Sequence, residues 1–294
     1  MNRRDFIKKT TLAGTAGLGI VQSIGKFTTA AASDVNSELI IAYDGEPEML
    51  LQTALKKYGG LEKIVKPGSS VLLKANFSWD GKPERACNSN PALLAALVKA
   101  CKKAGAKKVR VIDLAIDFYQ MCLDSSGIKK AVEGAGGEVV NLLPGPVIKK
   151  TSGVLDNIAI FKLVLEAECL INVPILKHHN ATQMTGALKN YMGLTSERSR
   201  MHVAGIHQAI VDLAKLIKPQ LHIIDAYRVL KTNGPHGPGD VAKLKQLIIT
   251  HDPVAADAYG ASLLNVEPPF LKLAAEARLG QMDLSKVKIT KVKC

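Results

Sequence analysis

The densest chemistry in the sequence lies in one run, P-I-L-K-H-H-N-A-T-Q-M-T-G-A-L-K-N-Y-M-G, from Pro174 to Gly193. It holds Lys177, His178, His179, Lys189 and Asn190. Two lysines, the histidines and an asparagine suit an anionic group, and a lysine whose pKa is lowered by burial can act as a base. A helix from Gln183 onward would set Met184, Leu188, Tyr191 and Met192 on an apolar face and Thr182, Gly186 and Lys189 on another, so Lys177 and Lys189 are expected to face one ligand. Further on, Asp257 falls with Val254, Ala258 and Ala261 on a face expected to be buried. A buried acid needs a partner, and Lys189 or a histidine would serve. The catalytic candidates are therefore Lys177 and Lys189 as anion clamps or bases, with His178 and Asp257 as proton-transfer partners.

Such groups must be positioned by a framework. Short apolar, β-branched runs alternate with helical patterns along the chain, the signature of strand-helix-strand units and a largely parallel sheet. The expected strands are Leu39–Tyr43, Ser70–Lys74, Lys108–Asp113, Glu138–Leu142, Cys169–Val173, Leu221–Asp225 and Lys245–Thr250. Between them, Asn90 before Pro91 reads as a helix cap, and Leu94, Leu97, Val98 and Cys101 follow at helical spacing. Ile206, Ile210, Leu213 and Ile217 form a second stripe that stops before Pro219, and Asp252-Pro253 starts a third helix. The expected fold class is α/β, a mostly parallel open sheet with flanking helices. The irregular run L-P-G-P-V-I-K-K-T-S-G, residues 143–153, is the candidate boundary between two lobes.

In an open parallel sheet, ligands bind beyond the carboxyl ends of the strands. Polar residues gather there: Asn76 after the strand that ends at Lys74, Lys177 to Asn180 after Val173, Arg228 after Asp225, and His251 and Asp252 after Thr250. Lys74, Asn76, Asn190 and Asp225 are the candidates for holding a ligand or cofactor. Each has a plainer reading when taken alone: Asp252 makes a good helix cap, Asp225 and Asp113 cap turns, and His222 packs inside its strand. A divalent or iron-containing centre would draw on His207, His251 and Asp252, assembled from distant segments, because no H-x-x-x-H or H-E-x-x-H occurs. The loop N-G-P-H-G-P-G-D, Asn233 to Asp240, suits a rim or lid as well as an ordinary tight turn.

Composition narrows the classes further. With 294 residues, 47% apolar and 22% charged, the chain can bury a real core, and with 4% aromatics and one Trp it lacks the stacking platforms that single-stranded nucleic acid needs. The five cysteines contain no C-x-x-C, which excludes a zinc ribbon or a ferredoxin-type cysteine run. Residues 1–32 read as a targeting segment. The string N-R-R-D-F-I-K-K, with Arg3, Arg4, Phe6, Ile7 and Lys8, resembles the twin-arginine export motif, and Thr11 to Val21 is an apolar stretch of 11 residues, short of the ~20 that a membrane span needs. Ala30 to Ala32 suit a signal peptidase, leaving residues 33–294 as the α/β domain. The expected partners are the twin-arginine machinery and a small anionic molecule, with neither nucleic acid nor a stable membrane span; the expected location is periplasmic or extracellular. Residues 1–32 hold five basic residues against one acid, so +9 of the formal +13 belongs to the remainder, where the scattered lysines suit a solvated surface or attraction to an anion.

The strings V-L-L-K-A-N, C-N-S-N-P, A-G-A-K-K-V-R-V-I-D, N-V-P-I-L-K-H-H, G-A-L-K-N-Y-M-G, I-V-D-L-A-K-L-I-K-P, I-I-D-A, N-G-P-H-G-P-G and D-P-V-A-A-D occur in this order. Together they resemble the family called domain of unknown function 362 over roughly Ser70 to Leu264. The polar positions of its motifs correspond here to Lys74, Asn76, Lys177, His178, Lys189, Asn190, His207, Asp225, Asp252 and Asp257. The resemblance implies that many relatives carry a ferredoxin-like cluster module, from which this chain departs by lacking the cysteine run. Three functions stay open on the sequence: an exported enzyme that binds a small anion, a metal- or iron–sulfur-carrying redox accessory, and a non-catalytic solute-binding protein.

Overall fold

In the strands of the central sheet, alternate residues serve two different cores. Leu39 and Ile41, Leu72, Ile112, Leu170, Ile224 and Ile248 pack on one face. Their neighbours Ile40 and Ala42, Val71 and Leu73, Val111, Ile171, Ile223 and Ile249 pack on the other. A strand buried on both sides loses the apolar-polar alternation of a half-exposed one, which is why these runs read as continuous apolar stretches.

The computed structural model describes residues 37–294, and the export motif read over residues 1–32 lies outside them. The chain runs β1 (Glu38–Tyr43), α1 (Pro47–Tyr58), β2 (Ser70–Lys74), α2 (Pro91–Lys103), β3 (Lys108–Asp113), α3 (Tyr119–Ser126), α4 (Ile128–Gly134) and β4 (Glu138–Asn141). Next come the hairpin β5 (Val147–Ser152) and β6 (Leu155–Phe161), α5 (Lys162–Leu165), β7 (Cys169–Asn172), β8 (Ile175–His179) and β9 (Gln183–Thr185). The last third holds α6 (Arg198–Val203), α7 (Ile206–Leu216), β10 (Leu221–Leu230), β11 (Val241–Ala242), β12 (Gln246–Thr250), α8 (Pro253–Leu264), α9 (Pro269–Glu276) and β13 (Lys288–Lys293). The main sheet has the order β13-β1-β12-β10-β7-β2-β3-β4. On this path β12 alone runs antiparallel to its neighbours β1 and β10, so the sheet is mostly parallel. The mixed α/β class with helices on both faces is the one expected from the sequence.

Local signals act where they were read. Asn90 accepts a hydrogen bond from the Ala92 N–H at 3.0 Å and starts α2. Asp252 accepts from the N–H groups of Val254 and Ala255 at 2.8 and 2.9 Å and starts α8. Cys101 is buried in the core, as its spacing implied. The segment 143–153 contains β5, which forms a separate two-stranded sheet with β6, and residues 37–294 belong to one compact unit rather than to two lobes.

Two expectations are corrected. No helix starts at Gln183: residues Gln183–Thr185 pair antiparallel with β8, Lys177 opposite Thr185 and His179 opposite Gln183. All four apolar residues of the supposed stripe are buried nonetheless. A segment buried all round gives its apolar residues no single face, so periodicity carries little information there and the open edge of β8 decides the conformation. The second correction concerns β10, which does not stop at Asp225 but continues to Leu230, because β8 pairs along its second half. Asp225 is therefore a mid-strand residue.

Candidate functional site

The site exists because the sheet opens at one point. β7 pairs with β2 on one side, Lys74 opposite Asn172, and with β10 on the other, His222 opposite Asn172. After Pro174 the chain, now β8, keeps its pairing with β10 and leaves β2, taking β9 as its other neighbour. The gap between the ends of β2 and β8 is closed by the two-turn 3-10 helix Lys189–Leu194. There Asn190 takes the place of the lost ladder. Its Nδ2 donates to the carbonyls of Lys74 (3.2 Å) and Ala75 (3.4 Å) and to Asn172 Oδ1 (2.8 Å), and its Oδ1 accepts from Lys74 Nζ and Asn76 Nδ2, both at 3.1 Å.

Above this seam lies a cavity of about 500 Å³, lined among others by Asn76, Asp113, Lys177, His179, Lys189 and Arg198. Among the described residues Asp113 is the one carboxylate in its wall, and it is engaged: Lys74 Nζ stands 2.9 Å from its Oδ1, and the N–H groups of Phe77 and Leu114 donate to it at 2.8 Å each. Lys177 Nζ donates to Asn76 Oδ1 at 3.1 Å and to the Cys87 carbonyl at 2.5 Å. Arg198, at the start of α6, donates to the carbonyls of Leu114 and Ala115 at 2.8 and 2.9 Å. Lys189 Nζ has Met192 Sδ at 3.6 Å as its hydrogen-bond partner among the described residues.

Crowding cations out of water weakens their hold on protons. Burial, then the charges of Lys177 and Arg198, bring Lys189 down to about 7. Burial brings Lys177 down to about 8, against the opposing pull of Cys87 and Asp113. Lys74 is lowered by the same burial, which its ion pair with Asp113 opposes. His179 is pushed down to about 2 by burial and by Lys189 and Lys177, so its ring is neutral. Its Nδ1 accepts from the Ala181 N–H at 3.1 Å, which leaves the proton on Nε2 as a donor.

Of the residues expected from the sequence, Lys74, Asn76, Lys177, Lys189 and Asn190 come together at this seam. Three others stand behind it. Asp257 does not meet Lys189: it accepts from the backbone N–H groups of Ala187 and Leu188 at 2.5 and 3.0 Å and so fixes the turn that leads into Lys189. Burial raises its carboxyl to about 7 against those two bonds. His178 accepts from the Gly234 N–H at 3.1 Å and ties down the 233–240 loop, whose Pro235 lines the cavity and whose His236 packs on Trp79 with ring centroids 4.9 Å apart. Asp225 accepts from the N–H groups of Asn90 and Tyr227, joining the start of α2 to β10.

The three metal candidates stay apart. His251 bonds Tyr58 and the Gln220 carbonyl, Asp252 is occupied as the α8 cap and by the Gln281 N–H, and His207 packs on Phe270. Among the described residues no three His, Cys, Asp or Glu side chains are grouped so as to hold a metal ion. Sequence reasoning missed Arg198 outright, since nothing in S-E-R-S-R distinguishes it from a surface arginine, and it read Asp113 only as a turn cap.

The fold and site together define an α/β protein with a doubly covered, mostly parallel sheet and a cation-lined cavity where that sheet splits. The chain belongs to the family described as Domain of unknown function (DUF362), which matches residues 71–262. It is 28% identical over 239 residues to a thylakoid-associated protein of Synechocystis sp., the match covering 78% of this chain and 74% of that one. Its backbone is similar to the lactate racemase apoprotein from Thermoanaerobacterium thermosaccharolyticum, with a TM-score of 0.50 and 16% identity, over 76% of this chain. The chain spans 56% of the length of that racemase, and the likeness concerns the fold.

Proposed function

We propose that this protein binds a small organic anion in the Lys177–Lys189 cavity and moves a proton there through Lys189. One observation carries the reading: two buried lysines and an arginine line a cavity whose only carboxylate among the described residues is already paired with a third lysine. Uncompensated buried cations are costly unless something anionic joins them. A group near 7 exchanges protons at physiological pH in either direction, which suits a general base. Asn76 holds Lys177 from the cavity wall, and Asn190 ties Asn76 and Lys74 together behind it. Asp257 and His178 act as positioning residues, and Asp225 supports the helix behind the site.

The test is a thermal-shift and calorimetric screen of small carboxylates and inorganic phosphate on the wild-type chain and on Lys177→Ala and Lys189→Met. Each lost charge-assisted contact costs about 1.5–3 kcal/mol, or roughly ten- to 150-fold in Kd. Wild-type affinity in both variants, or no response to any anion, overturns the reading.

We also propose that the chain is exported through the twin-arginine route to the periplasm or beyond, on the strength of the Arg3-Arg4 motif and the 11-residue apolar stretch behind it. Among the described residues, no helix is long and apolar enough to cross a membrane. Fractionation of cells making Arg3→Lys/Arg4→Lys checks this: the protein should remain in the cytoplasm, and unchanged export overturns the claim.

A further inference from the structure

The three lysines at the seam differ in what holds them. Lys74 Nζ has the Asp113 carboxylate, the Ala75 carbonyl and Asn190 Oδ1; Lys177 Nζ has Asn76 Oδ1 and the Cys87 carbonyl. Lys189, nine-tenths buried and lining the same cavity, has a thioether sulfur. An ammonium needs three acceptors, and a sulfur at 3.6 Å supplies one weak one. A neutral amine carries no charge and only two weaker donors, so the lack of acceptors costs it far less, and its lone pair is then free for a ligand in the cavity.

We propose that Lys189 Nζ forms an imine with an α-oxo acid, a small molecule that carries the carboxylate which Lys177 and Arg198 attract next to the carbonyl carbon which the amine attacks. This rests on the anion-binding reading and names the substrate class of that same cavity. The chemistry balances without a redox partner. The amine lone pair forms the C–N bond as the carbonyl π pair moves to oxygen. That oxygen takes a proton from the Lys177 ammonium, and the nitrogen gives one back. The C–O bond then breaks as the remaining N–H proton passes by way of Lys177 to the departing hydroxyl, so water leaves and the neutral imine remains. Neutral His179, with its Nε2–H, is placed in the same wall as a donor to the developing oxyanion. A cavity of about 500 Å³ is ample for an acid of two to five carbons. The lowered proton affinity of Lys189 agrees with the geometry: near pH 7 about half of its amines are neutral, against about one in 2,500 for an ordinary lysine.

The experiment incubates the full chain at pH 7 with pyruvate, glyoxylate or 2-oxoglutarate and sodium cyanoborohydride, then maps the reduced adduct by peptide mass spectrometry. The same acids without reductant are followed by thermal shift. Support is a mass gain equal to the oxo acid less one oxygen atom, on Lys189, at least tenfold faster than on any surface lysine, and absent from Lys189→Met. Stabilisation by an oxo acid with no adduct, or with adducts spread evenly over surface lysines, overturns the imine while leaving anion binding intact. Neither stabilisation nor adduct overturns both. Mapping on the wild-type chain keeps the test valid even if a variant folds poorly.

Discussion

Lys74 and Asp113 stand 2.9 Å apart at the ends of adjacent parallel strands, each about 1% exposed, with Asp113 in the cavity wall and Lys74 behind it. Asp113 also receives the N–H groups of Phe77 and Leu114, so the pair sets the course of two loops as well as neutralising one charge. Removing one partner leaves the other buried and alone. Asp113→Ala is expected to lose about 3–5 kcal/mol of stability in urea denaturation. Introducing Lys74→Met into that variant should return part of the loss, and the unpaired N–H groups of Phe77 and Leu114 account for the rest.

Lys189→Met should separate stability from function. The native lysine is pushed down to about 7, so between pH 7 and its ordinary value near 10.5 the unfolded chain binds more protons than the folded one. Stability contributed by this group therefore rises as pH rises through that window, and below it the folded protein bears the cost of a buried ammonium. The variant is expected to melt higher than wild type at pH 7, to lose the upward slope between pH 7 and 10, and to lose anion binding. A variant less stable at pH 7 with an unchanged slope would contradict the assignment.

Asp257 gives the opposite slope. Its folded value of about 7 lies above the ordinary aspartate value near 3.8, so between those limits the folded state binds more protons and stability falls as pH rises. Asp257→Asn should flatten stability against pH from about 4 to 7 in urea titrations. Because Asp257 acts through the backbone of Ala187 and Leu188, the same variant should weaken anion binding at Lys189 without removing it.

Gly186 and Gly193 flank Lys189 and allow two carboxylates to approach the backbone. A Cβ at Gly193 would overlap Asp113 Oδ1 and crowd Lys74 Nζ at 2.9 Å, and one at Gly186 would overlap Asp257 Oδ1. Gly193→Ala is expected to break the Lys74–Asp113 arrangement, costing about 1–3 kcal/mol as overpacking does, and to abolish anion binding measured by calorimetry. Gly205→Ala, where nothing lies within 4 Å of the new Cβ, tests the effect of a glycine substitution alone: its φ of +93° strains the backbone, so it should lose stability yet keep binding.

The amino-acid sequence by itself determined the class of the fold and most of the sheet. Strands β1 to β4, β7 and β12 and the starts of α2 and α8 follow from local apolar runs and caps, which act over a few residues and leave their mark in those residues. It also singled out Lys74, Asn76, Lys177, Lys189 and Asn190, because buried polar types next to strand ends are conspicuous against an apolar background. The tertiary structure decided the rest. Whether Gln183 to Thr185 forms strand or helix depended on the edge that β8 offered, and where β10 stopped depended on the same partner. Asp257 lies 68 positions from Lys189 in the sequence, and only the fold could show that it binds the turn before that lysine rather than the lysine itself. Proton affinity was the least legible property. It comes from burial and from charges brought together from β2, β8, the Lys189 turn and α6, and no local pattern encodes that sum.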